Sequence, residues 1–486
     1  MPSVKNNIIL NAINIVTAFI FPVITFPYAA RVLLPEGIGT INFLNSFISY
    51  IILFTSLGIP MYAVKEVARH RDDPKERNKI TIEVIIFSLI LCIFGYIAVW
   101  LLALFVPQIH AQASIFFVLS LAILFNALGV NWFYQGIEDF KVITVRAVIF
   151  RTISALGLFL FVKSPSDLII YAFILVGSTV GNNILNFIYL YKYIHFKDIK
   201  FRGLQIGRHL RPALEVFVLN LLISLYTQLN LIMLGFLAGE EAVGFYTAGN
   251  KISHIGLLIV SSISTAIFPR CAHLLKTGDT EGFRLMVTKS LDITLATSWP
   301  MMIGLLALAY PITLIFCGPE YSRSVGVLYF TAPALIFISL ANVLGVQVLY
   351  PKDQIKIVIR GAVAAALFNI ILNFILIPHY GATGAAVATL VAEAAGFFYQ
   401  LIAGRKFYPF PLKALLSKNY IIASLVMLAC IYACCYPIES LALKLVIGIP
   451  LGIFVYSIYL YLVKDSIYLD LLSYIRSFFH RLSNKY

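Results

Sequence analysis

Two basic residues lie inside long apolar stretches, each at a similar distance from a glycine. Arg31 precedes Gly39 by eight residues. Lys251 follows Gly244 by seven. At about 1.5 Å per helical residue, each charge lies roughly 10–12 Å below the turn that its glycine marks. Such a cation either faces a partner or cavity, or extends its side chain to the membrane surface. Because the two depths match, we expect Arg31 and Lys251 to form a central anion-binding site, with the extended side chain as the alternative.

Three further ionisable residues in apolar stretches are candidates for the same site. Arg151 lies about ten residues into its stretch, near the middle of the membrane. Arg360 lies five residues past Ile355 and could instead extend to the cytoplasmic surface. Glu393 lies among alanines and glycines. We expect it to be a counter-ion for one of the cations or a proton-titrating group, with a structural ion pair favoured.

No other residue pattern is typical of catalysis or of a bound cofactor. The chain contains no G-x-x-x-x-G-K-[ST] segment for nucleotide phosphates and no H-E-x-x-H or Cys/His cluster for a metal. Two asparagine pairs, Asn182 with Asn186 and Asn369 with Asn373, each share a helix face. These amides suit hydrogen bonds between helices at least as well as sugar recognition. We therefore predict a protein that is not an enzyme and needs no cofactor or metal.

About fourteen membrane-spanning helices are expected to position these residues. The chain is 60% hydrophobic and 12% charged, which is about half the charged fraction of a soluble domain. Apolar runs long enough to cross a bilayer predict spans at residues 8–33, 38–61, 80–105, 113–135, 141–162, 168–191, 212–236, 243–268, 286–309, 323–350, 355–377, 383–403, 419–437 and 443–463. The predicted fold class is an all-α polytopic membrane protein.

Basic residues are distributed unevenly between the predicted loops. Alternate loops hold nearly all of the Lys and Arg, whereas the opposite set holds only Arg31, Lys163, Arg323 and Lys444. Because positively charged loops face the cytoplasm, we predict that both termini are cytoplasmic. The net charge of +14 therefore reflects membrane orientation, and we predict no nucleic-acid partner.

An internal repeat is visible at the predicted outer turns. The pattern E-x-x-G at residues 36–39 recurs at 241–244, 205 residues later, and a third turn at 381–384 has a G-x-x-G spacing. We expect Pro35 and Gly37 to end the first helix, and Gly39 to allow the reversal into the second.

The repeat predicts two lobes that run in the same direction through the membrane. The predicted regions are a six-helix lobe at 1–211, a second six-helix lobe at 212–418, two additional spans at 419–463 and a cytoplasmic amphipathic tail at 464–486.

Three segments resemble the Wzx-type polysaccharide flippases. Residues 132–146 match the pattern W-x-x-Q-G-x-E-x-F-x-x-I-T-x-R, and residues 26–39 match F-P-Y-x-x-R-x-L-x-P-E-G-I-G. Residues 369–388 match N-I-I-L-N-x-x-L-I-P-x-Y-G-x-x-G-A-A-x-A, a pattern shared more broadly with lipid II flippases and drug exporters of the same superfamily.

The resemblance implies two six-helix bundles around a central cavity, two extra helices, and transport by alternating access in the bacterial inner membrane. The implied substrate is an undecaprenyl-diphosphate-linked oligosaccharide for O-antigen, capsule or exopolysaccharide assembly. A polysaccharide polymerase and a chain-length regulator are implied partners. Arg31 and Lys251 match the family's cationic positions best, whereas Arg151 departs from the usual spacing.

Two alternatives remain open at this point. A drug or metabolite exporter of the same superfamily would usually place carboxylates in its cavity, and this chain has few candidates. A membrane polysaccharide polymerase or ligase would need a sizeable outer loop with catalytic residues. The predicted outer loops are too short for that; one spans only residues 107–111.

Overall fold

The structure is a computed structural model that describes residues 4–194, 203–408, 417–470 and 472–473. Regular secondary structure within these ranges is helical. The α-helices are α1 Val4–Ser56, α2 Ile59–Arg69, α3 Pro74–Phe105, α4 Pro107–Ala111, α5 Ala113–Ala127, α6 Asn131–Gly136, α7 Phe140–Phe161, α8 Leu168–Leu190, α9 Leu210–Ala238, α10 Glu240–Lys276, α11 Thr280–Ala307, α12 Ala309–Cys317, α13 Ser324–Asn342, α14 Ile355–Gly404, α15 Lys418–Cys435 and α16 Leu441–Leu462.

The described helices account for about fourteen membrane spans. Among the described residues, ten segments are long and apolar enough to cross a bilayer. One of these segments includes most of α1, and another corresponds to α14. Each of these two helices consists of two arms joined at a non-helical residue. The arms of α1 and α14 add two spans, and α9 and α10, with 29 and 37 residues, add two more. The predicted all-α polytopic fold is confirmed.

Contacts divide the chain into two compact units, unit 1 at Met1–Gly244 and unit 2 at Phe245–Tyr486. Within unit 1, α1 packs against α3, α5, α7 and α9, and α2 packs against α3 and α6. Within unit 2, α13 packs against both α11 and α14, and α15 packs against α11 and α16. The lobes predicted at 1–211 and 212–418 describe a sequence repeat rather than contacts, and they stay a prediction.

The long helical runs change direction at single residues with positive φ. Leu34 separates the two arms of α1 (φ 61°, ψ 173°), Gly239 separates α9 from α10 (φ 85°, ψ 172°), and Gly381 separates the arms of α14 (φ 52°, ψ −129°). At the first break, Pro35 disfavours the helical conformation for the residue before it. The chain therefore turns at Leu34, and the prediction that Gly39 allows the reversal is wrong because Gly39 lies inside the second arm.

The predicted amphipathic tail is described only at its start. Asp470, near the end of the described residues, forms an ion pair with Lys289 of α11, whose Nζ lies 2.6 Å from the Asp470 carboxylate. From residue 474 onward the predicted tail lies outside the described residues.

Candidate functional site

The two E-x-x-G segments contact each other directly, backbone to backbone. A Cβ atom on Gly39 would lie 1.7 Å from the carbonyl oxygen of Glu240, and one on Gly244 would lie 1.9 Å from that of Pro35. Only glycine permits either approach. Because 35 and 240, and 39 and 244, both differ by 205 positions, the contact is reciprocal. Two copies of one segment make such a contact around a local two-fold axis.

One hydrogen bond at this contact has no counterpart in the repeat. The Thr40 hydroxyl is buried and donates to the Glu240 carboxylate. The residue 205 positions after Thr40 is Phe245, which cannot make the equivalent bond. The glycines therefore provide the shared part of the contact, and Thr40 adds a one-sided polar part.

Arg31 and Lys251 lie on the two helices that carry this contact. Arg31 is exposed on the first arm of α1, three residues before the break at Leu34. Lys251 is partly buried on α10, seven residues after Gly244. Arg31 belongs to unit 1 and Lys251 to unit 2. Their joint contact with an anion stays a prediction.

One face of α10 packs against α13 within unit 2. Gly249 lies against Val327, and the Ser253 hydroxyl is 2.6 Å from that of Thr331. Gly256 lies against Leu335 on the same side. Since 249, 253 and 256 follow the helical repeat, the opposite face of α10 points away from α13.

Lys251 lies on that opposite face, in a polar stripe with Thr247 and His254. The three residues follow the spacing i, i+4 and i+7, and the His254 side chain is exposed. Sequence reasoning missed His254, although its position one turn beyond Lys251 was the available signal. The stripe places an ammonium, an imidazole and the buried Thr247 hydroxyl along one line, and these groups suit an anionic polar ligand.

The other predicted candidates have separate surroundings. Arg151 is partly buried, and its Nη1 donates to the Asn14 carbonyl and Oδ1, both at 3.0 Å, and to the Thr17 hydroxyl at 2.7 Å. These bonds hold α7 against the first arm of α1. Arg360 is exposed near the start of α14 and makes no ion pair or hydrogen bond to the described residues. Glu393 is partly buried on the second arm of α14.

A buried carboxylate that sequence reasoning missed anchors the segment before α9. Glu83 of α3 is fully buried and accepts hydrogen bonds from the Gln205 backbone N–H at 2.7 Å and from Arg208 Nε at 2.8 Å. His209 Nε2 lies 2.9 Å from the same carboxylate, and its Nδ1 lies 2.8 Å from the Tyr62 hydroxyl. Burial lowers the pKa of His209 even though Glu83 acts in the opposite direction. The neutral imidazole can accept at Nδ1 and donate at Nε2, which satisfies both partners.

The segment at residues 131–146 forms a corner centred on Asn186 of α8. The Asn186 amide donates to Asn131 Oδ1 at 2.6 Å, and its Oδ1 accepts from Arg146 at 2.9 Å. The Asn186 carbonyl accepts from the Tyr134 hydroxyl at 2.6 Å, and the Arg146 guanidinium lies 4.3 Å from the centre of the Tyr189 ring. These side chains hold α6 and α7 against α8.

Two more members of the same segment also have structural partners. Asp139 caps the start of α7 and accepts a 2.8 Å hydrogen bond from the Tyr193 hydroxyl. Gly136 lies so close to α2 that a Cβ would approach Val67 to 2.6 Å. Most of the named side chains in the segment that resembles the flippase pattern therefore have a structural role, because they pack or hydrogen-bond within this corner.

The asparagine pairs have different roles. Asn186 makes the hydrogen bonds between helices that we expected of it. Asn373 donates to Asn369 at 3.0 Å along the same face of α14, where both are fully buried.

A family model also matches most of the first half of the chain and part of the second. The family is described as "Polysaccharide biosynthesis protein", and the match covers residues 3–275. This is more than half of the 486 residues. The chain belongs to the polysaccharide biosynthesis protein family. A second family model, MatE, matches residues 216–375.

Relatives of this family member include proteins from two bacteria. It is 28% identical to a "Putative O-antigen transporter" of Escherichia coli K12, over 80% of this chain and 94% of the relative. It is 24% identical to the "Capsular polysaccharide biosynthesis protein CapF" of Staphylococcus aureus, over 77% of this chain and 91% of the relative.

Two solved structures share the fold of this family member. The lipid II flippase MurJ in an inward closed conformation superposes with a TM-score of 0.73 at 22% identity, over 96% of this chain and all of that one. An inward-facing MATE multidrug transporter superposes with a TM-score of 0.61 at 14% identity, over 80% of this chain and 95% of that one. At these identities the likeness establishes the fold, that of a multi-pass membrane protein.

Proposed function

We propose that this protein moves undecaprenyl-diphosphate-linked oligosaccharide repeat units from the inner to the outer leaflet of the bacterial cytoplasmic membrane. The repeat units would serve the assembly of O-antigen, capsule or exopolysaccharide. The observation that carries the proposal is the similarity to a named O-antigen transporter along 80% of the chain. The fold shared with a lipid II flippase supports it.

The chemistry of the substrate explains why such a protein is needed. A diphosphate and its sugars cannot cross hydrocarbon unaided, because their polar groups would lose their hydrogen-bond partners there. Cations inside the spans lower that barrier. An inside-negative potential also favours outward movement of an anion, by about 2.3 kcal/mol per charge per 100 mV.

In the proposed mechanism, Arg31 and Lys251 bind the diphosphate. Arginine can contact phosphate bidentately, and lysine supplies a compact charge. Thr247 and His254 share the stripe of Lys251 and would add hydrogen bonds to the diphosphate or the first sugar. We assign Arg151 a packing role in this scheme, because its Nη1 is bonded to α1.

The reciprocal contact of Gly39 and Gly244 is the proposed outer gate. Each glycine lies five residues after a turn for which the charge asymmetry predicts the outer side of the membrane. Backbone-to-backbone contact closes this end tightly, and separation of the two turns would release the substrate outward. The remaining candidates, Arg360 and Glu393, would lie on the path or serve as counter-ions.

The alternative of a drug exporter has weaker support. The MatE model matches only residues 216–375, and the multidrug transporter superposes less well than the lipid II flippase. The relatives named above are described as a transporter and a biosynthesis protein, and we propose that this chain is not itself an enzyme. A polymerase and a chain-length regulator are proposed partners.

A deletion strain tests the function. We expect lipid-linked repeat units to accumulate on the inner leaflet while the assembled polysaccharide disappears, and the wild-type gene should restore both. If the repeat units themselves failed to form, a biosynthetic enzyme would be the better assignment.

Orientation needs its own test. Both termini are proposed to be cytoplasmic, so single cysteines at Asp73 and Asp279 in a cysteine-free background should react only in opened cells. A cysteine at Glu241 should react in intact spheroplasts. Labelling of the Asp73 position from outside would overturn the orientation.

A further inference from the structure

A small polar cavity lies within unit 1, where α1 meets α2. Its volume is about 130 Å³. It is bordered by Pro60 and Gln135, whose side chains are exposed, so it opens to the surface. Its lining includes Ser56, Asn126, Asn131 and Trp132.

The lining is polar but carries no charged side chain. A diphosphate would be a poor occupant, because an anion removed from water needs a cation beside it. A lipid chain would also fit poorly, because it would cover amide and hydroxyl groups without replacing their hydrogen bonds. The lining therefore selects a neutral ligand that both donates and accepts hydrogen bonds.

The three lining amides have unused hydrogen-bonding groups. Asn126 donates to the Ser56 hydroxyl at 3.2 Å, which leaves its Oδ1 available. Asn131 accepts from Asn186 at its Oδ1, which leaves its Nδ2 available. Gln135 makes no side-chain hydrogen bond to the described residues, so both ends of its amide are available. Together they offer donors and acceptors, with the Trp132 ring beside them.

Gln135 differs from its neighbours in the corner at residues 131–146. Asn131, Tyr134 and Arg146 are bonded to Asn186, and Gly136 packs against α2. The Gln135 side chain is exposed and makes no hydrogen bond to the described residues of that corner, although it lies in the middle of the same segment. Its exposed amide at the mouth of a polar cavity is what a contact to a ligand requires.

We propose that this cavity binds one sugar of the oligosaccharide head group, and this inference rests on the proposed function. The volume is well below the roughly 300–1,000 Å³ of sites for drug-sized ligands, so it admits the hydroxyl or acylamino substituents of a single ring. The amides then read the identity of that sugar, because a site built to bond a hydroxyl rejects an analogue that lacks it.

The test compares two lipids on purified protein in nanodiscs. The probes are the lipid-linked repeat unit extracted from the producing strain and undecaprenyl diphosphate without sugar. We expect Gln135→Ala and Asn126→Ala to weaken binding of the sugar-bearing lipid roughly three- to tenfold. Binding of undecaprenyl diphosphate should not change. Asn11→Ala is the matched control, because Asn11 is an exposed amide on α1 outside the cavity.

Unchanged affinity of both cavity variants for the sugar-bearing lipid would overturn the inference, and so would equal loss of both lipids. The free oligosaccharide, released from the same lipid, should bind more weakly than the intact lipid. If it bound equally well, the cavity would serve a soluble saccharide, and the inference would also fail. If neither lipid bound the wild type saturably, the proposed function would fall, and this inference with it.

Discussion

The turn at Leu34–Gly39 and the turn at Gly239–Gly244 have the same geometry but different residues. The first residue of each has nearly the same backbone conformation, with φ 61° and ψ 173° at Leu34 and φ 85° and ψ 172° at Gly239. Five residues later, each has a glycine in contact with the backbone of the other turn. The two copies of the repeat therefore share the same backbone conformation from the break to the glycine contact. The sequence pattern E-x-x-G covers only the last four residues of each copy.

The difference lies in how each turn reaches that path. Leu34 adopts a conformation that glycine adopts freely and other residues reach at a cost of about 1–3 kcal/mol. Pro35 explains the position of this break, because it disfavours a helical residue before it. At Gly239 the missing side chain achieves the same result without strain. One turn is thus imposed by proline and the other is permitted by glycine.

The largest expected effect concerns the cations near each turn, Arg31 and Lys251. Arg31→Ala and Lys251→Ala should each reduce transport roughly ten- to a hundredfold, because a charge-assisted contact to phosphate contributes about 1.5–3 kcal/mol. Arg31→Lys should retain partial activity, since the charge stays, and substitution by Glu should be worse than Ala. Export of the repeat unit, normalised to membrane abundance, measures this.

Lys141→Ala is the control for these variants, because Lys141 is an exposed cation of a predicted cytoplasmic loop. Near-normal export by both alanine variants at normal abundance would rule out the anion site. It would favour side chains that merely extend to the membrane surface.

The glycine contact should come next in size. Gly39→Ala and Gly244→Ala would each place a methyl group within 2 Å of a backbone carbonyl oxygen. Overpacking of this kind costs about 1–3 kcal/mol or more, so the melting temperature in detergent should fall for both. Gly177→Ala should not lower it, because a Cβ there meets nothing within 4 Å. Unequal losses would show that the reciprocal contact is not energetically symmetric.

Adding a side chain at Gly239 and removing the side chain at Leu34 should shift the free energy of unfolding in opposite directions. Gly239→Ala should destabilise by about 1–3 kcal/mol, although a Cβ at Gly239 has no neighbour within 4 Å. Leu34→Gly should change the free energy of unfolding only slightly in the favourable direction, because relief of strain is partly offset by about 0.5–1 kcal/mol of backbone entropy. A clear loss of stability in Leu34→Gly would contradict strain at the first break.

A small effect is also expected at the one-sided hydrogen bond between Thr40 and Glu240. Thr40→Val should cost about 1 kcal/mol, since it removes the hydroxyl that donates to Glu240. A double-mutant cycle with Glu240→Gln measures the coupling in thermal unfolding. Additive effects of the two substitutions would mean that the Thr40–Glu240 bond adds no stability.

The sequence alone predicted the membrane-spanning helices, because a segment in lipid must satisfy its backbone hydrogen bonds internally and so carries a continuous apolar run. It also predicted the paired turns, since E-x-x-G recurs 205 residues apart. The family resemblance in residues 132–146 was visible as well. These features depend on residues close together in the chain.

The tertiary structure decided which distant residues contact Gly39, Glu83 and Arg151. Gly39 turned out to be a contact and not a turn, because its partner at Glu240 is about 200 residues away. The carboxylate of Glu83 bonds to residues more than 120 positions away, and Arg151 bonds to Asn14. No local pattern encodes such partners, since a hydrogen bond or close approach between distant residues exists only once the helices have packed.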